Sequence, residues 1–168
     1  MLQADIGLIG LAVMGQNLVM NMASKGFTVV VYNRTTQRVT DFLAGRAKGK
    51  SILGAYSIEE FVGSLKKPRK VMLLVKAGQP VDDFIERLIP HLDAGDIIID
   101  GGNSNYKDTK RRAEMLAQHG LRFLDVGTSG GIWGLTEGYS LMIGGDAEIA
   151  EYLRPIFETL APAPDQGW

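Results

Sequence analysis

The stretch Asp5-Ile6-Gly7-Leu8-Ile9-Gly10-Leu11-Ala12-Val13-Met14-Gly15-Gln16-Asn17 constrains this chain more than any other. An apolar strand breaks there into a tight turn and reopens as a helix. The spacing is G-x-A-x-x-G, with Ala12 where a dinucleotide-binding turn usually carries its second glycine. Gly10 permits the sharp turn, and small Ala12 lets backbone approach a pyrophosphate. Gly15 lets the helix pack close on the strand. Free N–H groups at the helix start then form an anion site, helped by the helix dipole. An ordinary strand-to-helix connection can carry the same glycines, so the weight falls on the rest of the chain.

Gln16 to Lys25 keeps Leu18, Val19 and Met22 on helical spacing, and Gly26 supplies the stop. Phe27 to Tyr32 is a β-branched strand that completes one βαβ unit. Asn33-Arg34-Thr35-Thr36 comes next, where an NAD-binding unit normally places an acidic residue for the ribose hydroxyls. Here no carboxylate repels a 2′-phosphate. Arg34 offers that phosphate a planar fork and adenine a flat face, and Thr35 or Thr36 can cap the next helix. A surface arginine at a strand end is the plainer alternative.

Alternation continues to the end of the sequence. Thr36 to Leu43 reads as a short helix, Gly49 to Ala55 as a weak third strand, and Ser57 to Leu65 as a helix opened by a capping box of Ser57 and Glu60. The run Lys66-Lys67-Pro68-Arg69-Lys70 is a solvated turn, since no aromatic residue interleaves with its charges. Lys70 to Val75 and Asp96 to Asp100 are continuous apolar strands, as expected where both faces are covered. They end in Lys76-Ala77-Gly78 and Gly101-Gly102-Asn103-Ser104, at the edge where open α/β sheets bind ligands. Pro80 to about Leu92 and Asp108 to His119 are helices, the second with a basic face. Leu121 to Val126 is a strand, followed by a donor-rich loop, Gly127-Thr128-Ser129-Gly130-Gly131, suited to a carboxylate or phosphate. Tyr139 to Ile143 is an extra edge strand, and Asp146 to Leu160 a last helix with Ile149, Leu153, Ile156 and Phe157 on one side. The sum is an α/β, Rossmann-type doubly wound, mainly parallel sheet with the first βαβ unit at its centre.

Composition narrows the class further. The chain has 168 residues, net charge −1 and 22% charged residues, which points to neither nucleic acid nor a membrane surface as partner. It has no cysteine, so disulfide and thiolate chemistry are excluded, which is compatible with the cytoplasm. No apolar run approaches the ~20 residues that span a bilayer, and the opening residues have no basic segment of a signal peptide.

Five motifs in order carry a resemblance: Gly10 to Asn17, Asn33-Arg34-Thr35, Val75-Lys76-Ala77-Gly78, Asp100 to Ser104, and Ser129-Gly130-Gly131. Together they resemble the 6-phosphogluconate dehydrogenase family and, more broadly, the β-hydroxyacid dehydrogenase superfamily. The resemblance covers the coenzyme domain alone. It implies that Gly10, Leu11, Ala12, Val13, Met14 and Gly15 hold the pyrophosphate of NADP, and that Asn33, Arg34 and Thr35 hold its 2′-phosphate. It implies further that Val75, Lys76 and Ala77 line the cofactor's path, with Asn103 beside it, and that NAD is the weaker cofactor. Asn103, Ser129, Gly130 and Gly131 would touch 6-phosphogluconate. The implied reaction oxidises the C3 hydroxyl by hydride transfer to NADP⁺ and then releases CO₂, giving ribulose 5-phosphate.

On this resemblance residues 1–161 are an NADP-binding domain and 162–168 the start of a linker to a helical domain. The lysine base and glutamate acid of the family belong to that helical domain, so no catalytic group is expected within these 168 residues. His91 and His119 sit at helix ends and are not read as substitutes for the base. The partners implied are NADP and 6-phosphogluconate, with a cytoplasmic homo-oligomer as the whole enzyme. The last helix, around Ile149 to Phe157, is then expected to show apolar surface. Two alternatives remain: a 3-hydroxyisobutyrate-type dehydrogenase and a non-catalytic NADP(H)-sensing module. Asn103 after two glycines and the run Asp108 to Arg112 favour the phosphogluconate branch. The Ser129 to Gly131 loop speaks against a pure sensor.

Overall fold

A computed structural model describes residues 3–102, 104–129, 140–145 and 147–160. Strand and helix alternate as β1 (Ile6–Ile9), α1 (Val13–Ser24), β2 (Val29–Tyr32), α2 (Gln37–Ala44), β3 (Ile52–Gly54) and α3 (Ile58–Gly63). Then come β4 (Lys70–Leu73), α4 (Gln79–Leu88), β5 (Ile97–Asp100), α5 (Tyr106–Gln118) and β6 (Arg122–Ser129). The described chain closes with β7 (Ser140–Gly145), α6 (Ala147–Tyr152) and α7 (Arg154–Leu160). The strands form one seven-stranded sheet in the order β3-β2-β1-β4-β5-β6-β7. Every pair is parallel except β6 with β7.

The apolar runs become central strands because each must be covered on both faces. Along β5, Ile97 and Ile99 face one layer and Ile98 the other; in β2, Val29 and Val31 oppose Val30 and Tyr32. That is the two-residue period of a strand. One layer packs α1, α2, α6 and α7 on the sheet through Leu18, Met22, Phe42 and Ile156. The other packs α3, α4 and α5 through Phe61, Ile85 and Leu116. Each fully buried aliphatic side chain contributes about 1.5–3 kcal/mol against the entropy of ordering the chain.

Four expectations are corrected. The segment 127–129 is not loop: β6 runs on through Ser129, in register with β7 from Leu124↔Gly145 to Ser129↔Ser140. Its pairing with β5 stops at Asp100↔Asp125, so the end of β6 projects as a two-stranded ribbon beyond the parallel sheet. The last helix is two helices, because Pro155 cannot donate the backbone bond that would continue α6, and α7 restarts at Arg154. Ile149, Leu153, Ile156 and Phe157 still point one way, but they are buried in the first core layer with α1 rather than exposed. The first βαβ unit is displaced from the middle: β4 is the central strand.

The capping box forms in a shifted version, with Ser57 Oγ accepting from Glu60 N at 3.1 Å and Glu60 Oε2 accepting from Tyr56 N at 3.1 Å. The basic turn pairs with acids: Lys66 with Asp5 (3.0 Å), Lys67 with Asp93 (2.8 Å), and Arg69 with Asp93 and Asp96 (3.1 Å each). Residues 162–168, expected as a linker, lie outside the described residues, as does Tyr139. Among the described residues, no helix is long and apolar enough to cross a membrane.

Candidate functional site

Parallel strands deliver all their following turns to one edge. The chain runs outward from β1 to β2 and β3, then returns to place β4 on the other side of β1. Between β1 and β4 the turns diverge and leave a crevice, which is where open α/β sheets take ligands. A cleft of about 470 Å³ lies there, lined by Ile9, Gly10, Asn33, Arg34, Val75 and Phe84 among others. Gly10, Asn33, Arg34 and Val75, singled out from sequence, all line it.

The turn after β1 is built around backbone contact. Gly10 has φ +113°, and a Cβ there would lie 2.2 Å from the Leu74 carbonyl oxygen. A Cβ on Gly15 would lie 1.8 Å from the Gly10 carbonyl oxygen. Glycine is therefore required twice, once for the turn and once for seating α1 against it. Ala12 is the N-cap of α1 and makes no side-chain cap, and the first turn carries no acidic residue. The first N–H groups of a helix have no intrahelical partner, so Val13, Met14 and Gly15 offer theirs to an anion. Val13 is 66% exposed at this point, an apolar side chain left open beside a cleft.

Asn33 bridges the two turns with both ends of its amide. Its Oδ1 accepts from Leu11 N at 2.8 Å and its Nδ2 donates to Thr35 O at 3.0 Å. It locks the turn after β2 onto the turn after β1. The Leu11 carbonyl accepts from Gln16 Nε2 (3.0 Å) and Arg38 Nη1 (3.5 Å). Arg34 and Thr35 remain exposed, and the Arg34 guanidinium has no partner among the described residues. Thr36 is the N-cap of α2 but makes no side-chain cap, so the expected threonine cap is absent. Arg87 stacks over Tyr32 (5.9 Å to the ring centre) and Phe84 (5.4 Å), and it lines the cleft together with Phe84.

Lys76 and Ala77 are exposed on the turn between β4 and α4. Ser129 is the last residue of β6, at the described end of the ribbon. Asn103, Gly130 and Gly131 lie outside the described residues. His91 and His119 sit on the opposite edge of the sheet: the His91 carbonyl lies 3.5 Å from Arg69 Nη1, just before β4, and His119 closes α5. Among the described residues no cluster of side chains is suited to a metal ion.

Sequence reasoning misses a buried polar cluster beneath this edge. Arg112 on α5 is fully buried and binds Asp82, Asp100, Ser104 and the Gly78 carbonyl. The hydrogen bonds from Arg112 hold the Asp82 carboxyl below the usual carboxylate range, against a partial loss of solvent. Its contribution to stability is therefore present at neutral pH and lost as pH falls through that lowered value. Asp125, the register neighbour of Asp100, behaves oppositely. Burial, then the Asp100 charge, push its carboxyl up, with Arg112 opposing. Its Oδ1 is buried with no partner among the described residues. An acid whose pKa is raised on folding costs stability once pH climbs above its unfolded value. Asp125→Asn is therefore expected to melt higher than the unsubstituted chain at pH 7, with the gap closing near pH 4. Thermal unfolding at the two pH values checks this, and a lower melting point at pH 7 contradicts it.

The family described as the NAD binding domain of 6-phosphogluconate dehydrogenase matches residues 5–165. The chain is 63% identical to the decarboxylating 6-phosphogluconate dehydrogenase of Schizosaccharomyces pombe over 94% of its length and 32% of that protein's. It is 58% identical to the Haemophilus influenzae enzyme of that name over 98% of this chain and 34% of that one. The chain thus spans about a third of the length of the curated relatives it matches. Among solved structures, Plasmodium falciparum 6-phosphogluconate dehydrogenase superposes with a TM-score of 0.88 at 43% identity, over 95% of this chain and 34% of that one. That protein was solved in its apo form, with its cofactor NADP⁺ and with its substrate 6-phosphogluconate. Mycobacterium tuberculosis 3-hydroxyisobutyrate dehydrogenase shares the fold at a TM-score of 0.82 and 21% identity, over 95% of this chain and 53% of that one.

Proposed function

Because the chain belongs to the family of the NAD binding domain of 6-phosphogluconate dehydrogenase, we propose that it is the coenzyme-binding part of such an enzyme. On this reading it holds NADP along the carboxyl edge of its sheet and serves the oxidative decarboxylation of 6-phosphogluconate to ribulose 5-phosphate. The observation that carries the reading is the bond from Leu11 N to Asn33 Oδ1 (2.8 Å), which joins an uncapped helix start to the turn bearing Arg34. That bond would hold a pyrophosphate site and a 2′-phosphate site at a fixed spacing.

The residues fit the cofactor. The close backbone contacts at Gly10 and Gly15 seat the turn and the start of α1 where a pyrophosphate would sit. Val13, Met14 and Gly15 would direct N–H groups at it, and Arg34 would take the 2′-phosphate, with Thr35 beside it. Val75, Lys76 and Ala77 continue the surface across β4 toward β5. When bound, NADP⁺ supplies the hydride acceptor. The chain's part is to orient the nicotinamide and, through Asn103, Ser129, Gly130 and Gly131, to hold the sugar acid with C3 facing it. We assign the proton of the C3 hydroxyl to none of these side chains. Both histidines lie on the far edge of the sheet. We also propose the cytoplasm as the compartment and a homo-oligomer as the assembly of the whole enzyme.

A graft tests the activity. This chain replaces the matching third of the Haemophilus influenzae enzyme, and reduction of NADP⁺ is followed with 6-phosphogluconate. The expected result is turnover of 6-phosphogluconate and none of 3-hydroxyisobutyrate. A folded graft that binds NADP⁺ but leaves 6-phosphogluconate untouched contradicts the substrate assignment.

A further inference from the structure

Arg112 is the one fully buried cation beneath the site among the described residues, and the proposed function gives it no role. Its Nε donates to Asp82 Oδ1 at 2.9 Å, and its Nη2 to Asp82 Oδ2 at 3.3 Å and to the Gly78 carbonyl at 3.1 Å. Its Nη1 donates to Ser104 Oγ at 3.0 Å and to Asp100 Oδ2 at 3.5 Å. Every N–H of the guanidinium has an acceptor. Ser104 Oγ also donates to Asp100, whose other oxygen accepts from Gly102 N at 2.9 Å.

These partners belong to two turns, Gly78 and Asp82 to the one that starts α4, and Asp100, Gly102 and Ser104 to the one after β5. The two turns also touch by backbone: a Cβ on Gly102 would come within 2.7 Å of the Val75 carbonyl oxygen. A buried ion pair is weak evidence for stability, since packed apolar residues often serve as well. What apolar residues, or a lysine, cannot supply is a rigid fork that fixes two backbones at one separation.

We propose that Arg112 is a positioning residue, which sets the β4–α4 turn against the β5–α5 turn so that the nicotinamide half of the dinucleotide meets one continuous surface. The proposal rests on the dinucleotide-binding function proposed for this edge of the sheet. In that reading the adenosine half lies over β2, beside Arg34, and the other half over β4 and β5. All of Arg112's partners lie on the second side. Its loss should therefore release one end of the cofactor and leave the other.

The test is saturation-transfer NMR with NADP⁺, whose nicotinamide and adenine protons report separately, on the unsubstituted chain, Ser104→Ala and Arg112→Lys. Ser104→Ala removes one strut and keeps the buried charges paired, and circular dichroism confirms that each variant is folded. The expected result is that the nicotinamide signal falls severalfold relative to adenine in both variants, while adenine keeps its intensity. An unchanged ratio in both variants overturns the proposal. Equal loss at both rings makes the cluster merely structural, and full recovery in Arg112→Lys shows that charge alone suffices; either result overturns it too. Absence of both signals in the unsubstituted chain removes the dinucleotide reading itself, and this proposal with it.

Discussion

Gly15→Ala is expected to abolish detectable NADP binding while the sheet still forms. The added Cβ meets the Gly10 carbonyl oxygen at 1.8 Å and its carbon at 3.0 Å, and both atoms are backbone. No rotamer relieves such a contact, so α1 must lift or the turn must open. α1 resists lifting because Leu18, Val19 and Met22 are fully buried beneath it. Overpacking of this kind costs about 1–3 kcal/mol of stability. The larger loss is in binding, since the N–H groups of Val13 to Gly15 no longer converge on one anion. Hydrogen bonds to a charged group contribute about 1.5–3 kcal/mol each, so losing two lowers affinity by at least about a hundredfold. Gly63→Ala is the control: its Cβ meets nothing within 4 Å at the end of α3. It should leave NADP affinity unchanged. Fluorescence titration with NADPH measures both variants, and near-normal affinity in Gly15→Ala contradicts the account of the turn.

Arg34→Ala should weaken NADP binding by roughly tenfold to a hundredfold and remove most of its advantage over NAD. The guanidinium is exposed on the cleft wall, and Asn33 spends both ends of its amide on Leu11 and Thr35. Arg34 is therefore the strong charged donor on that turn. Neither Asn33 nor Thr35 provides a carboxylate that would bind the ribose hydroxyls of NAD. The same substitution should reduce the salt dependence of NADP binding, because a screened charge pair has been removed.

Much of the fold and of the site is legible in the amino-acid sequence alone. The β1 turn, the unbroken apolar strands and the placement of Arg34 at a strand end follow from local rules of turn chemistry and periodicity. Those rules fail where a distant partner decides. The segment after Val126 has the glycine, threonine and serine content of a loop, yet pairing with β7 makes strand of it as far as Ser129. Arg112 reads only as part of the basic face of its helix, because its acceptors lie 34, 30, 12 and 8 residues away and no helical period reveals them. The break at Pro155 is a different case. Its signal is local, but the apolar spacing of Ile149, Leu153 and Ile156 runs across it and conceals it. Asn33 sits at the turn where the sequence puts it, and only the bond to Leu11 shows that it braces the site.

Whether this chain is an NADP-selective coenzyme domain is decided by calorimetric titration of the unsubstituted 168-residue chain with NADP⁺ and with NAD⁺ in the same buffer. One binding site per chain is expected, with NADP⁺ at least about tenfold tighter than NAD⁺. Equal affinities, or no heat from either cofactor in a folded chain, would contradict it.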